Sequence, residues 1–241
     1  MSVESTEAAA ARREVTPPIE DPRRSFRIAG RAALVAAIAW LVEPIAFAAT
    51  LLNPANMNPD QTLAEFRAAN PYGIAIGLGL AVLGVAIGIA VLASGRARAT
   101  RESATYPVLV GQGLGFLAAG ALIIAGAIDL TLGSLAGSAL TAIPEVPENA
   151  RWLANQAIMI THEGMRLTAC LGIAAWFVIL AVTGRRAGLI GRSMPTTLWI
   201  AAILIAVPAA VTGLLTGMNI ILLGLIPLAV AWLRRGRRRS E

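Results

Sequence analysis

Residues 160–167 read ITHEGMRL, which places a histidine, a glutamate and an arginine within two turns of an otherwise apolar stretch. An imidazole beside a carboxylate can relay a proton, act as an oriented base or share a metal ion, and a nearby guanidinium can hold that carboxylate ionised. At about 100° per residue, Asn155, Gln156, Met159, His162, Glu163, Arg166 and Cys170 fall within about 60° either side of Met159, so the ionisable groups share one helix face. Past Cys170 the same face continues as Ile173, Ala174 and Phe177, which confines the polar stripe to one half of the helix.

Glu43 and Asp129 are the other acids in comparable surroundings. Depth can be counted at ~1.5 Å per residue from the arginine-rich ends of the apolar runs: Arg166 is then about 28 Å and His162 about 34 Å above Arg185, Asp129 about 33 Å above Pro107, and Glu43 about 18 Å above Arg31. All fall in the outer half of a bilayer, and Gln112 falls in the inner half. A lone charge at the bilayer centre costs at least ~2.5–3.5 kcal/mol, so these groups are expected to face one another or water. Arg166 has a partner at i−3 in Glu163, with Asp129 at a compatible depth. Glu43 is some 10 Å deeper than Arg166 by the same count. It is expected to be carried neutral or to be reached by water at the kink beside Pro44.

The same residues limit the chemistry. One histidine does not make the usual several-ligand zinc site, although Glu163 and Asp129 could add oxygens. Met159, on the same face as His162, cannot occupy the opposite axial position of a haem. No serine or cysteine has a base beside it apart from His162, and no phosphate-cradling glycine motif occurs in a cytoplasmic loop. All 20 basic residues are arginine, so a lysine nucleophile or Schiff base is excluded, and Cys170, the single cysteine, allows no internal disulfide or CxxC pair. No enzyme activity, metal or cofactor is expected. Two readings of the polar cluster remain: an outer cavity that binds a small solute or relays protons, and an electrostatic clasp joining spans one, three and four.

The elements that position these residues are apolar helices. Of 241 residues, 56% are hydrophobic and 14% charged, against roughly a quarter charged in soluble domains. Six runs, 31–51, 73–94, 107–128, 157–183, 196–215 and 218–233, approach or exceed the ~20 residues needed to cross a hydrocarbon core. They are continuous rather than alternating, which excludes a lipid-facing barrel. The expected fold is all-α, a polytopic transmembrane helical bundle with six spans. Gly73, Gly77, Gly84 and Gly88 share one face of the second run, with Gly111 and Gly115 on the third, and such small-residue faces let helices pack closely in lipid.

Net charge is +6, yet nucleic acid is not the expected partner. The arginines cluster before the first run, between the second and third, between the fourth and fifth, and after the sixth, whereas the opposite loops hold only Arg67 and Arg151. That alternation follows the positive-inside rule, so both termini are expected in the cytoplasm. Residues 1–28 are expected to be a disordered cytoplasmic tail, 29–233 the transmembrane domain and 234–241 a basic tail. Thr62 with Glu65 makes a capping box for a short surface helix in the first outer loop, and the pattern can run helically from Pro147 to Val182, about 54 Å. The first 30 residues carry no secretory signal, no internal repeat is visible, and Pro44, Pro208 and Pro227 interrupt their runs.

With RSFRIAG leading into the first run, a polar loop after it, and RAGLIGRSMPTTLW leading into a closing hairpin, the chain resembles the small six-helix integral membrane proteins of actinobacteria. That family has no settled activity, so the resemblance implies fold and topology only. The expected role is an accessory or scaffolding component of the bacterial inner membrane, with transport as the alternative. Its expected partners are the lipid bilayer and other membrane proteins or further copies of itself.

Overall fold

The computed structural model describes residues 21–51, 72–99, 106–133, 148–212 and 220–237. Among these are six helices and no strand: α1 (Pro22–Leu51), α2 (Tyr72–Ala99), α3 (Tyr106–Gly133), α4 (Glu148–Thr183), α5 (Met194–Thr212) and α6 (Ile221–Arg237). Five are long and apolar enough to cross a membrane. The sixth, α6, is 17 residues long and carries Arg234, Arg235 and Arg237 in its last turn. This is the all-α bundle that the apolar runs imply, in an arrangement consistent with a multi-pass membrane protein.

The first helix begins earlier than expected. Asp21 accepts the Arg23 N–H on its carboxylate at 3.0 Å and the Arg24 N–H on its carbonyl at 2.9 Å, and Pro22 takes the first helical position, where its missing N–H costs nothing. Residues 22–28, read from composition as part of a disordered tail, are therefore the first turns of α1. The charged residues there line one end of a helix rather than a tail. Likewise 234–237, assigned to the basic tail, complete α6. The outer-loop helix expected near Thr62 and Glu65, and the rest of both tails, lie outside the described residues. The extended fourth helix is present at 36 residues. Pro44, Pro208 and Pro227 each sit inside a helix rather than at its end.

Each helix packs on the next in sequence, and α6 packs on α1, so the chain closes on itself. The tight α4–α5 connection uses Gly188 at φ 68°, a left-handed conformation that favours glycine. The Leu189 N–H then bonds the Gly184 carbonyl at 2.7 Å. This turns Leu189 and Ile190 back into the core, where the buried Trp232 indole donates to the Leu189 carbonyl at 2.9 Å.

Beside large buried side chains such as Trp40, Phe177 and Trp232, small residues fill many of the helix contacts while many large aliphatic ones face outward. Alanines such as Ala29, Ala33, Ala36, Ala90, Ala118 and Ala125 are buried, while Ile38, Ile45, Val85 and Ile203 are more than half or nearly half exposed. Lipid is as apolar as leucine, so helices gain nothing by hiding large side chains from it and gain van der Waals contact by bringing small ones together.

The glycines achieve this in two ways. Between α2 and α3 they bring backbones together: a Cβ on Gly77 would lie 2.8 Å from the Gly126 carbonyl oxygen, and one on Gly84 2.6 Å from that of Ala119. Gly111 and Gly115 serve instead as sockets for large side chains, since a Cβ would lie 2.7 Å from Ile179 and 2.5 Å from Val91 respectively. Gly88 needs no glycine, because its Cβ would make only an ordinary 3.6 Å contact with Ala119. Gly73 lies on α2, but its surroundings are outside the described residues.

Candidate functional site

The polar cluster forms where α3 and α4 meet, near one end of both apolar stretches. Asp129 lies two residues before the end of the stretch Leu109–Thr131, and His162 two residues after the start of Ile160–Thr183. The wheel centred on Met159 coincides with the buried face of α4, because Cys170, Ile173, Ala174 and Phe177 are all buried. A polar residue one or two turns above them on that face must enter the bundle, and His162 does so with 5% of its surface exposed.

Both ring nitrogens of His162 are engaged. Nε2 lies 3.1 Å from Oδ2 of Asp129 across the α3–α4 seam, and Nδ1 lies 3.1 Å from Oε1 of the adjacent Glu163. Arg166 Nη1 donates to the same Glu163 oxygen at a longer 3.4 Å. A neutral imidazole has one donor and one acceptor nitrogen, so two carboxylate contacts require one further proton in the cluster. An imidazolium donating to both acids satisfies this, as does a neutral ring with one acid protonated. In the first form the four groups hold two positive and two negative charges, the balance that makes such a cluster tolerable beside hydrocarbon.

The sequence places Arg166 and Glu163 as a pair with Asp129 nearby. In the structure it is His162 that reaches Asp129, which makes the imidazole the central group of the cluster. The reason is geometric: the His162 side chain points across the seam, while Arg166 lies one turn further along α4 on its way to Glu163. The two carboxylates approach opposite edges of the ring and do not converge on a common point. Among the described residues no group of three histidine, cysteine or acidic side chains is arranged to hold a metal ion.

Glu43 lies on α1, but its side chain, like those of Asn155, Gln156 and Met159, is outside the described residues. Near it on the same helix, Trp40 is buried, and its indole N–H has no hydrogen-bond partner among the described residues. Toward the opposite end of the bundle, the Gln112 amide lies against Gly95 so closely that a Cβ there would overlap it.

Several positioning residues are not apparent from the sequence pattern. Gly126 faces Gly77 across the α2–α3 seam, Gly172 meets Ala118 of α3, and Gly224 of α6 receives the Phe177 ring in place of a side chain. Trp176 stacks obliquely on Phe177 at 5.5 Å and approaches Trp232 at 6.5 Å between ring centroids. Only the adjacent aromatic pair in AAWFVIL signals this cluster in advance. Compared with known proteins, the chain matches no family model, no curated protein and no solved structure.

Proposed function

We propose that this chain is a non-enzymatic accessory component of a bacterial inner membrane, related to the small six-helix actinobacterial proteins it resembles. In this reading all six helices cross the bilayer, both termini are cytoplasmic, and the His162 cluster is a clasp that fastens α3 to α4 at the outer interface. The observation that carries the reading is that the imidazole at the centre of the cluster is taken up entirely by its neighbours. Both nitrogens of His162 are bonded to neighbouring carboxylates, and Glu163 is bonded to Arg166. A site that handles a solute keeps groups directed at the solute; here they are directed inward.

One observation favours a proton-relay reading. Asp129, His162 and Glu163 form a continuous hydrogen-bonded path, and the Glu163 side chain is 44% exposed, so one end can exchange protons with its surroundings. Reconstitution into liposomes with an imposed pH gradient separates the two. A clasp leaves the gradient decaying at the rate of protein-free liposomes, for wild type and His162→Gln alike. Faster decay in wild type that His162→Gln abolishes would establish the relay. Orientation is tested separately: in a background lacking Cys170, cysteines at Asn58 and Pro147 should react with an impermeant thiol reagent applied outside cells, and one at Arg186 should not.

A further inference from the structure

The α1–α2 seam carries a feature that the polar cluster does not involve. At the end of the bundle formed by the start of α1 and the end of α2, a cavity of about 110 Å³ is lined by Arg24, Ser25, Ile28, Leu92 and Arg96 among others. Immediately beside it, sharing Ile89 as a wall, an apolar groove of about 300 Å³ runs between the same two helices. Its floor is made of small buried residues, Ala32 and Ala86, and its sides are Val35, Val82 and Val85, each exposed by 45–51%. The combination is amphiphilic: two guanidinium groups at one end and a purely hydrocarbon channel leading away from them.

The spacing follows from the helices. Arg24, Ile28, Ala32 and Val35 succeed one another along one face of α1, and Arg96, Leu92, Ile89, Val85 and Val82 do so along one face of α2. From Arg24 to Val35 the rise is about 16 Å, close to half of the ~30 Å hydrocarbon thickness and so to one leaflet. The cavity and groove together therefore have the length of a single acyl layer, with cationic groups where the headgroups lie.

We propose that this groove is a binding site for one anionic phospholipid, its phosphate held by Arg24 and Arg96 and one acyl chain laid along the alanine floor between α1 and α2. The inference rests on the reading of the chain as membrane-spanning with this end at the cytoplasmic leaflet, where anionic lipids attract basic groups. It is independent of the role of the His162 cluster. Lipid seated here would complete the α1–α2 contact on the bilayer side and make the stability of the bundle depend on lipid charge.

The test is displacement of a fluorescently labelled phosphatidylglycerol from the full chain in nonionic detergent micelles. Unlabelled phosphatidylglycerol should compete about 30-fold better than phosphatidylcholine, the preference expected for two basic groups near a headgroup surface. Arg24→Gln/Arg96→Gln should remove that preference, whereas Arg185→Gln/Arg186→Gln, the same charge loss on the α4–α5 connection, should retain it. Ala86→Phe, which fills the groove floor and leaves both arginines, should weaken both lipids by at least tenfold. Far-ultraviolet circular dichroism confirms that each variant keeps its helices. Equal competition by phosphatidylcholine, a preference that survives the Arg24/Arg96 change, or full affinity in Ala86→Phe would overturn the proposal. Displacement by glycerol phosphate at lipid-like concentrations would likewise overturn it, because the site would then be one for a free anion. A failed preference with correct thiol topology would refute the lipid site alone; inverted topology would refute the membrane reading on which it rests.

Discussion

The two halves of α4 are held in the bundle by different physics. Around His162 the helix is joined to α3 by a side-chain hydrogen bond between two ionisable groups, His162 and Asp129, with Glu163 substantially exposed. About four turns further on, around Phe177, it is held by shape: the ring fills the space over Gly224, Trp176 packs beside it and Trp232 packs on Trp176, with no polar group exchanged between rings. The polar end lies at the boundary of the apolar stretch and the aromatic end within it. Near water, charged groups can be brought together at tolerable cost, and deeper in hydrocarbon only close packing remains to distinguish a helix neighbour from lipid. The contrast teaches that position along the bilayer normal decides which kind of contact can fasten a helix.

The largest effect is expected at the aromatic end. Phe177→Ala leaves the space over Gly224 empty and should destabilise the bundle by about 3–5 kcal/mol, as large-to-small core changes do. Unfolding in mixed micelles at increasing denaturing detergent measures this. A loss smaller than that of any change in the polar cluster would reverse the comparison.

A third seam sharpens it, because α2 and α3 approach backbone to backbone at Gly77 and Gly84. Gly84→Ala should cost about 1–3 kcal/mol, since its methyl would push against the Ala119 carbonyl and overpacking costs are of that order. Gly88→Ala, one turn away with room for a methyl, should be close to neutral. Equal thermal stability of the two variants would count against backbone approach as the force holding this seam.

The smallest loss is expected from Arg166 acting through Glu163 alone. Its 3.4 Å contact with Glu163 is an i,i+3 pair with a partly exposed acid, and such pairs are worth about 0.2–0.5 kcal/mol. In a double-mutant cycle of Arg166→Ala and Glu163→Gln, which isolates this contact from the other interactions of Arg166, the coupling should therefore be well under 1 kcal/mol. A coupling larger than that of the Asp129–His162 pair, measured by the same unfolding assay, would make the arginine, and not the histidine, the main fastener of this end of α4.

Much of this contrast is readable in the sequence. Counting from the arginines puts Asp129 and His162 at nearly the same depth, and they do meet. The wheel identifies the buried face of α4, and the glycine stripe identifies the face of α2 that approaches α3. A stripe, however, names a face and not its partner. Gly77 and Gly84 lie where the two helix backbones touch, and Gly88 lies past that contact, a distinction set by how two rods cross. The Gly224–Phe177 socket joins residues 47 positions apart in helices that are not consecutive, and no local pattern marks it. The start of α1 was obscured by composition, because arginines that look like a tail are capped into a helix by Asp21.

The central claim is that the Asp129–His162 contact fastens α3 to α4. A double-mutant cycle of Asp129→Asn and His162→Gln, read as unfolding free energy of the full chain, isolates that contact from the other effects of each substitution. Each single change should be destabilising and the pair should lose less than the sum, with a coupling of about 1 kcal/mol or more, within the range found for residues in one hydrogen-bonded network. Losses that add to within about 0.3 kcal/mol would contradict the clasp and leave His162 and Asp129 as separate polar groups at a membrane boundary.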